Sequence, residues 1–177
     1  MAVQIGAKPD SGFDDPIGML TDCHRRIERF LDILWIVAER SAGRALTGEE
    51  SEAIQAALQY FHVGGQRHNA DEEQSLFPRL REASSGEQFT EIHGLESDHQ
   101  DANRLHQTVE QLYVMWIKRC ELGAKEQNDL QSATGRLKRL YEDHIRTEEQ
   151  VVFPQAAKVL NREAIQAIGE EFRARRA

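Results

Sequence analysis

Residues 68–78 read HNADEEQSLFP, and residues 144–154 read HIRTEEQVVFP. Both follow one pattern, H-x-x-x-E-E-Q-x-x-F-P, and they stand 144 − 68 = 76 residues apart. A histidine and a glutamate four residues apart share one face of an α-helix, where they can converge on a single point. Two further histidines, His24 and His99, stand 99 − 24 = 75 residues apart. The near-equal offsets describe two helical hairpins of one plan, each with a histidine on its first helix and His-x-x-x-Glu on its second.

Working outward, the apolar spacing predicts an all-α chain. Asp15-Pro16 is a helix start, an acidic cap followed by proline in the first turn. Ile17, Leu20, His24, Ile27, Leu31, Leu34 and Ala38 then recur at steps of three and four, the seam of a helix facing a bundle core. This helix should end near Ser41-Ala42-Gly43. Thr47 and Glu50 form a capping-box pattern ahead of a second helix carrying Ile54, Leu58, Phe61, Gly65, His68 and Glu72. Pro78 marks a kink or the last turn of that helix, and Ser84-Ser85-Gly86 the next turn. Ile92, Leu95, His99, Ala102, His106, Val109, Tyr113 and Trp116 line a third helix that ends at Leu122-Gly123. Leu130, Thr134, Leu137, Tyr141, His144, Glu148 and Val152 line a fourth, with Pro154 repeating the role of Pro78. Asn161 caps a short last helix through Phe172. Short connections make neighbours antiparallel. The expected architecture is an antiparallel up-down-up-down four-helix bundle over residues 15–177, its short C-terminal fifth helix starting near 161, preceded by a flexible lead-in over residues 1–14.

Composition narrows the function classes. The 177 residues include 30 acidic and 22 basic ones, a formal charge of −8, which speaks against nucleic acid or an anionic membrane as partner. No apolar run approaches the roughly 18–20 residues of a membrane span. MAVQIGAKPDSG at the start shows no secretory signal pattern, and Cys23 and Cys120 make no disulfide framework. A cytoplasmic location is the expectation.

The pattern carries chemistry. Counting residues from the helix ends brings all four histidines to one layer of the core. Four imidazoles and two carboxylates in a core without metal would be costly, because buried polar groups need partners and paired carboxylates repel. Two divalent or trivalent cations answer both demands. A nitrogen and oxygen ligand set without thiolate suits iron, and also manganese or zinc.

These residues resemble the hemerythrin-like, or HHE cation-binding, family over roughly residues 15–158. His24, His68, Glu72, His99, His144 and Glu148 fall on the family's motif positions. The resemblance implies a non-haem di-iron centre with an oxo or hydroxo bridge, the two carboxylates bridging the irons and the histidines as terminal ligands. Oxygen-carrying members have a second histidine four residues after the third-helix ligand, where this chain has Asn103. The chain is therefore similar to the four-histidine, two-carboxylate branch, which includes bacterial di-iron proteins linked to nitric oxide stress and iron–sulfur cluster repair. The implied ligand is small: oxygen, nitric oxide or hydrogen peroxide. A non-catalytic metal- or redox-responsive sensor is the alternative.

With each iron taking two histidines, one oxygen from each carboxylate and a bridge, a position stays open on each. Asn103 shares the helix face of His99 and should turn to the same layer, hydrogen-bonding a metal-bound water or bridge. Tyr141, one turn before His144, is a second candidate beside the bound ligand. His106 lies about 10.5 Å along the helix from His99, too far to join the centre, and reads as a satisfied core or access-route histidine. His62 and His93 read as flank residues, and Glu28 as solvated. Glu73 and Glu149 point about 100° from their neighbours, toward outer pairing or the surface. Gly64-Gly65 suggests a local bulge or a gas-access gap. Cys23 reads as a small buried residue, and Arg173, Arg175 and Arg176 as a solvated helix end. An exposed Trp35 face would favour a homodimer.

Overall fold

The computed structural model describes residues 10–83 and 90–177, and among them every regular element is helical. Helix α1 is Pro16–Ser41, capped by Asp15, whose side chain accepts from the Gly18 N–H. Helix α2 runs through residues 48–83, and its capping box between Thr47 and Glu50 is complete. Helix α3 is Thr90–Arg119. Helix α4 runs through residues 124–159. Helix α5 is Arg162–Ala174, with the Asn161 side chain accepting from the Ala164 N–H. The lead-in before residue 10 and the turn at Ser84-Ser85-Gly86 lie outside the described residues.

Two apolar clusters show how the helices run. One holds Leu20, Leu76, Phe77, Leu80, Ile92, Leu95, Val152, Ile168 and Phe172. The other holds Ile27, Leu31, Phe61, Ala102, Val109, Tyr113, Leu137 and Tyr141. Helices α1 and α3 pass from the first cluster to the second, and α2 and α4 pass back, giving the up-down-up-down order. His24, His68, Glu72, His99, His144 and Glu148 fall between the clusters on their helices, so a polar layer is sealed by apolar packing on both sides. At the far end of the second cluster, Trp116 Nε1 donates to the Arg44 carbonyl at 2.8 Å and Gln127 Nε2 to the Ala38 carbonyl at 2.6 Å. These bonds tie helix ends to the connections beside them. No helix among the described residues is long and apolar enough to cross a membrane.

The prolines do not end their helices. Each repeat instead passes through a wider π-helical turn, Glu72–Leu76 in α2 and Glu148–Val152 in α4, in which the Phe77 and Phe153 N–H groups reach back to the Glu72 and Glu148 carbonyls. Pro78 and Pro154 follow at once. Proline has no N–H to give and its ring crowds the carbonyl four residues back. The widened turn before each proline lets the helix continue through it. A third such turn, Phe61–Gly65, is the bulge expected at Gly64-Gly65.

The C-terminal helix is also more firmly held than the sequence suggests. Ile168 and Phe172 are fully buried, and Gly169 sits so close to the lead-in that a Cβ there would lie 1.9 Å from the Phe13 carbonyl oxygen. Arg175 and Arg176, expected in solvent, fold back onto buried Asp71.

Candidate metal centre

Each of the four layer histidines and both layer glutamates is at most 2% exposed. The rings of His24 and His68 lie 5.0 Å apart, and those of His99 and His144 lie 4.8 Å apart, centre to centre. The carboxylates stand between these two pairs. Glu72 turns Oε1 to His68 Nε2 (3.2 Å) and His24 Nε2 (4.0 Å), and Oε2 to His99 Nε2 (3.3 Å). Glu148 turns Oε2 to His24 Nε2 (3.0 Å) and Oε1 to His144 Nε2 (3.4 Å). Each carboxylate therefore offers one oxygen to each histidine pair.

These inward atoms do not satisfy one another. His24 Nε2, His99 Nε2, His144 Nε2 and both oxygens of Glu72 and Glu148 are buried without a hydrogen bond among the described residues. A buried polar group left unpaired costs about 1–3 kcal/mol, and such groups concentrated in one layer call for a cation. Ligand atoms of His24, His68, Glu72 and Glu148 lie within 4.8 Å of one another, as do those of Glu72, His99 and His144. Two overlapping groups of nitrogen and oxygen donors, sharing a carboxylate, fit a pair of metal ions.

The outward nitrogens are fixed by a second ring of carboxylates. His24 Nδ1 donates to Glu149 (2.9 Å), His99 Nδ1 to Glu73 (2.7 Å) and His144 Nδ1 to Asp98 (3.3 Å). A proton held at Nδ1 leaves the Nε2 lone pair facing inward, the form that binds metal. Among the described residues His68 has no such partner, and its Nδ1 is buried and unpaired. The aromatic residue of each repeat joins in. Phe153 stacks on His24 (5.4 Å) and Phe77 on His99 (6.4 Å), which fixes the ring planes.

Burial and the facing Glu148 push the Glu72 carboxyl well above its usual range. Burial also opposes charge on Glu148, but His144 and His24 outweigh it and hold that carboxyl well below. For His144, burial disfavours the cation, yet Glu148 and Asp98 prevail and raise it to about 10. His68 is lowered by burial and by His24, and His99 by burial and by His144.

A cavity of about 340 Å³ opens between α2 and α3, lined by Phe61, His62, Gln66, Asn103, His106 and Glu110 among others. Asn103 is half-buried on its wall, and its Oδ1 accepts from Gln66 Nε2 at 3.2 Å. His106 Nε2, in that lining, meets the hydroxyl of buried Tyr141 at 3.1 Å, and the Tyr141 ring lies 6.4 Å from that of His144. His62 pairs with Glu110 at 2.7 Å, His93 is exposed, and Glu28 pairs with Arg25 at the surface. Cys23 is half-buried, and burial raises its thiol. Trp35 is half-buried over Gly135, where a Cβ would come within 3.0 Å of the indole.

Sequence reasoning did not find Asp98 or Asp71. Asp98 sits next to a ligand-type histidine with no pattern of its own. Asp71 lies inside the motif, at a position that varies between the two repeats (Asp71 against Thr147).

A helical bundle enclosing a buried layer of histidines and bridging-type carboxylates defines a cation-binding bundle. The family model described as Hemerythrin HHE cation binding domain matches residues 15–156, and the chain belongs to that family. It is also similar to an uncharacterized protein of Haemophilus influenzae, 28% identical over 165 residues that cover 93% of this chain and 91% of that protein.

Proposed function

We propose that His24, His68, Glu72, His99, His144 and Glu148 hold two iron ions, and that the protein binds or reacts with a small diatomic or peroxide ligand: oxygen, nitric oxide or hydrogen peroxide. The observation that carries this reading is the division of each carboxylate, one oxygen toward each histidine pair. A donor set of imidazole and carboxylate without thiolate suits iron. Such a metal pair supplies electrons and open coordination positions to a small ligand.

The protein's own residues do the rest. Glu73, Glu149 and Asp98 hold the protons of three histidines on their outer nitrogens. The two apolar clusters keep bulk water from the layer. The cavity beside Asn103 provides the approach for a ligand of few atoms, with His106 in its lining and Tyr141 bonded to His106. We place Asn103 and Tyr141 in ligand access on this ground.

Metal analysis of protein produced with iron should return about two irons per chain. Stoichiometric binding of one zinc, unchanged by Glu72→Ala combined with Glu148→Ala, would overturn the reading. Stopped-flow mixing of the reduced, loaded protein with oxygen, nitric oxide and hydrogen peroxide then identifies the ligand. Repeated turnover marks an enzyme, one-for-one reversible binding a carrier, and a shape change without reaction a sensor.

A further inference from the structure

Asp71 is a charged side chain with no exposed surface, one residue before Glu72. Successive residues on a helix point about 100° apart, so Glu72 faces the layer while Asp71 faces α5. There both its oxygens are taken. Arg175 Nη1 donates to Oδ1 at 2.8 Å and Arg176 Nη2 to Oδ2 at 2.6 Å. Arg175 Nη2 also donates to Ser75 Oγ at 2.7 Å, within the π-helical turn that begins at Glu72. Glu171, one turn earlier on the same helix, holds the same stretch, accepting from Arg79 Nη2 at 2.7 Å and from Ser75 Oγ. The end of α5 is thus bonded to the two sides of Glu72 in the chain, at Asp71 and at Ser75.

We propose that Arg175 and Arg176 are positioning residues of the metal centre. They neutralise Asp71 and clamp the turn that presents Glu72, and so keep that carboxylate divided between the two histidine pairs. Without the guanidinium groups the turn loses its bonds at Asp71 and Ser75, and Asp71 is left as a buried carboxylate without those partners, drawn toward water. Loss of those bonds by itself frees the turn to rotate and draw Glu72 out of line, and the Asp71 charge adds to the displacement. Before Glu148 the position of Asp71 is taken by Thr147, whose hydroxyl donates to the Asp143 carbonyl, and Glu148 has no equivalent clamp among the described residues. The two carboxylates therefore differ in how they are held, although the motifs that carry them match.

This inference rests on the reading of the layer as a two-metal site. The test uses the full chain with cobalt(II) as probe, read by competition against a chelator and by the visible ligand-field spectrum. Three variants are compared with wild type: Arg175→Gln/Arg176→Gln, the charge-keeping Arg175→Lys/Arg176→Lys, and the double glutamine variant with Asp71→Asn added. Arg162→Gln, exposed at the start of α5, is the control. The double glutamine variant should keep its helical circular dichroism, lose about tenfold or more in affinity, in the range seen for outer-shell changes, and show an altered spectrum. The lysine variant should recover part of both, and the control should match wild type. If the double glutamine variant fails to fold, the triple variant decides, because it carries no buried charge: weakened binding with an altered spectrum supports the clamp, and wild-type behaviour overturns it. Wild-type affinity and spectrum in a folded double glutamine variant also overturn it. A wild-type protein that binds no cobalt overturns the two-metal reading and this proposal together.

Discussion

His99 on α3 donates its Nδ1 proton to Glu73 of α2 across 2.7 Å, and the relationship is mirrored by His24 of α1 and Glu149 of α4 at 2.9 Å. The second glutamate of each E-E pair thus serves the first-helix histidine of the other hairpin. The stacked phenylalanines follow the same exchange, Phe77 on His99 and Phe153 on His24. Neither hairpin can complete its half of the layer alone. The outer residues of each repeat act across the bundle.

Replacing Glu73 or Glu149 by glutamine should weaken metal binding by about 10–100-fold while leaving the fold intact. Glutamine can still accept from Nδ1, but it removes the charge that raises the basicity of the imidazole. Glu73→Gln should act at the pair containing His99, and Glu149→Gln at the pair containing His24. Chelator competition measures the affinity, and the spectrum of the loaded protein shows which pair has changed.

Metal removal should lower stability and metal addition restore it. Unpaired buried nitrogens and oxygens fill the layer, and a ligand that binds only the folded state adds about 2.7 kcal/mol at a hundredfold excess over its dissociation constant. Thermal melting before and after chelation should show a rise in Tm on reloading. Glu72→Ala with Glu148→Ala should abolish that rise. Equal melting temperatures for stripped and loaded wild type would contradict the role given to the layer.

His106 should make stability fall in mild acid. Burial, aided by the nearby His62, lowers its imidazole from 6.5 to about 4. The unfolded chain therefore binds the proton first as pH drops. Its contribution is complete above pH 6.5 and is lost progressively down to about pH 4, amounting to about 3 kcal/mol at 1.36 kcal/mol per pH unit. His106→Gln can keep a hydrogen bond to Tyr141 without titrating. Urea unfolding at several values between pH 7 and pH 4.5 should give a steeper loss for wild type than for the variant.

Asn103→His should narrow the cavity that we propose as the approach of a small ligand to the layer. The carboxamide stands on the cavity wall, bonded to Gln66, and a larger ring there takes up space on the approach. The loaded variant should keep two metals and react with azide or nitric oxide several-fold more slowly in stopped-flow mixing. Unchanged rates would mean that the ligand arrives by another route.

Much of this protein is legible in its sequence because it depends on neighbours within one or two helical turns. The caps at Asp15, Thr47 and Asn161 bond to backbone three residues on. The apolar seams follow the 3.6-residue period, and the i, i+4 spacing of His68 with Glu72 and of His144 with Glu148 puts both pairs on single helix faces. The duplication fixed the order of the helices and the level of the layer, since two equal hairpins must pack their matching residues side by side.

What spacing could not reveal is which side chains meet across the bundle. Pro78 and Pro154 read from the sequence as a kink or a last turn, and the structure carries both helices through them by a widened turn. Arg175 and Arg176 look solvated until α5 docks and brings them to Asp71, about 100 residues earlier in the chain. Asn103 shares a face with His99, yet its rotamer is settled by Gln66 on another helix. Periodicity fixes a face to within a turn, whereas a hydrogen bond requires an ångström-scale distance between groups far apart in sequence. Only the assembled helices set those distances.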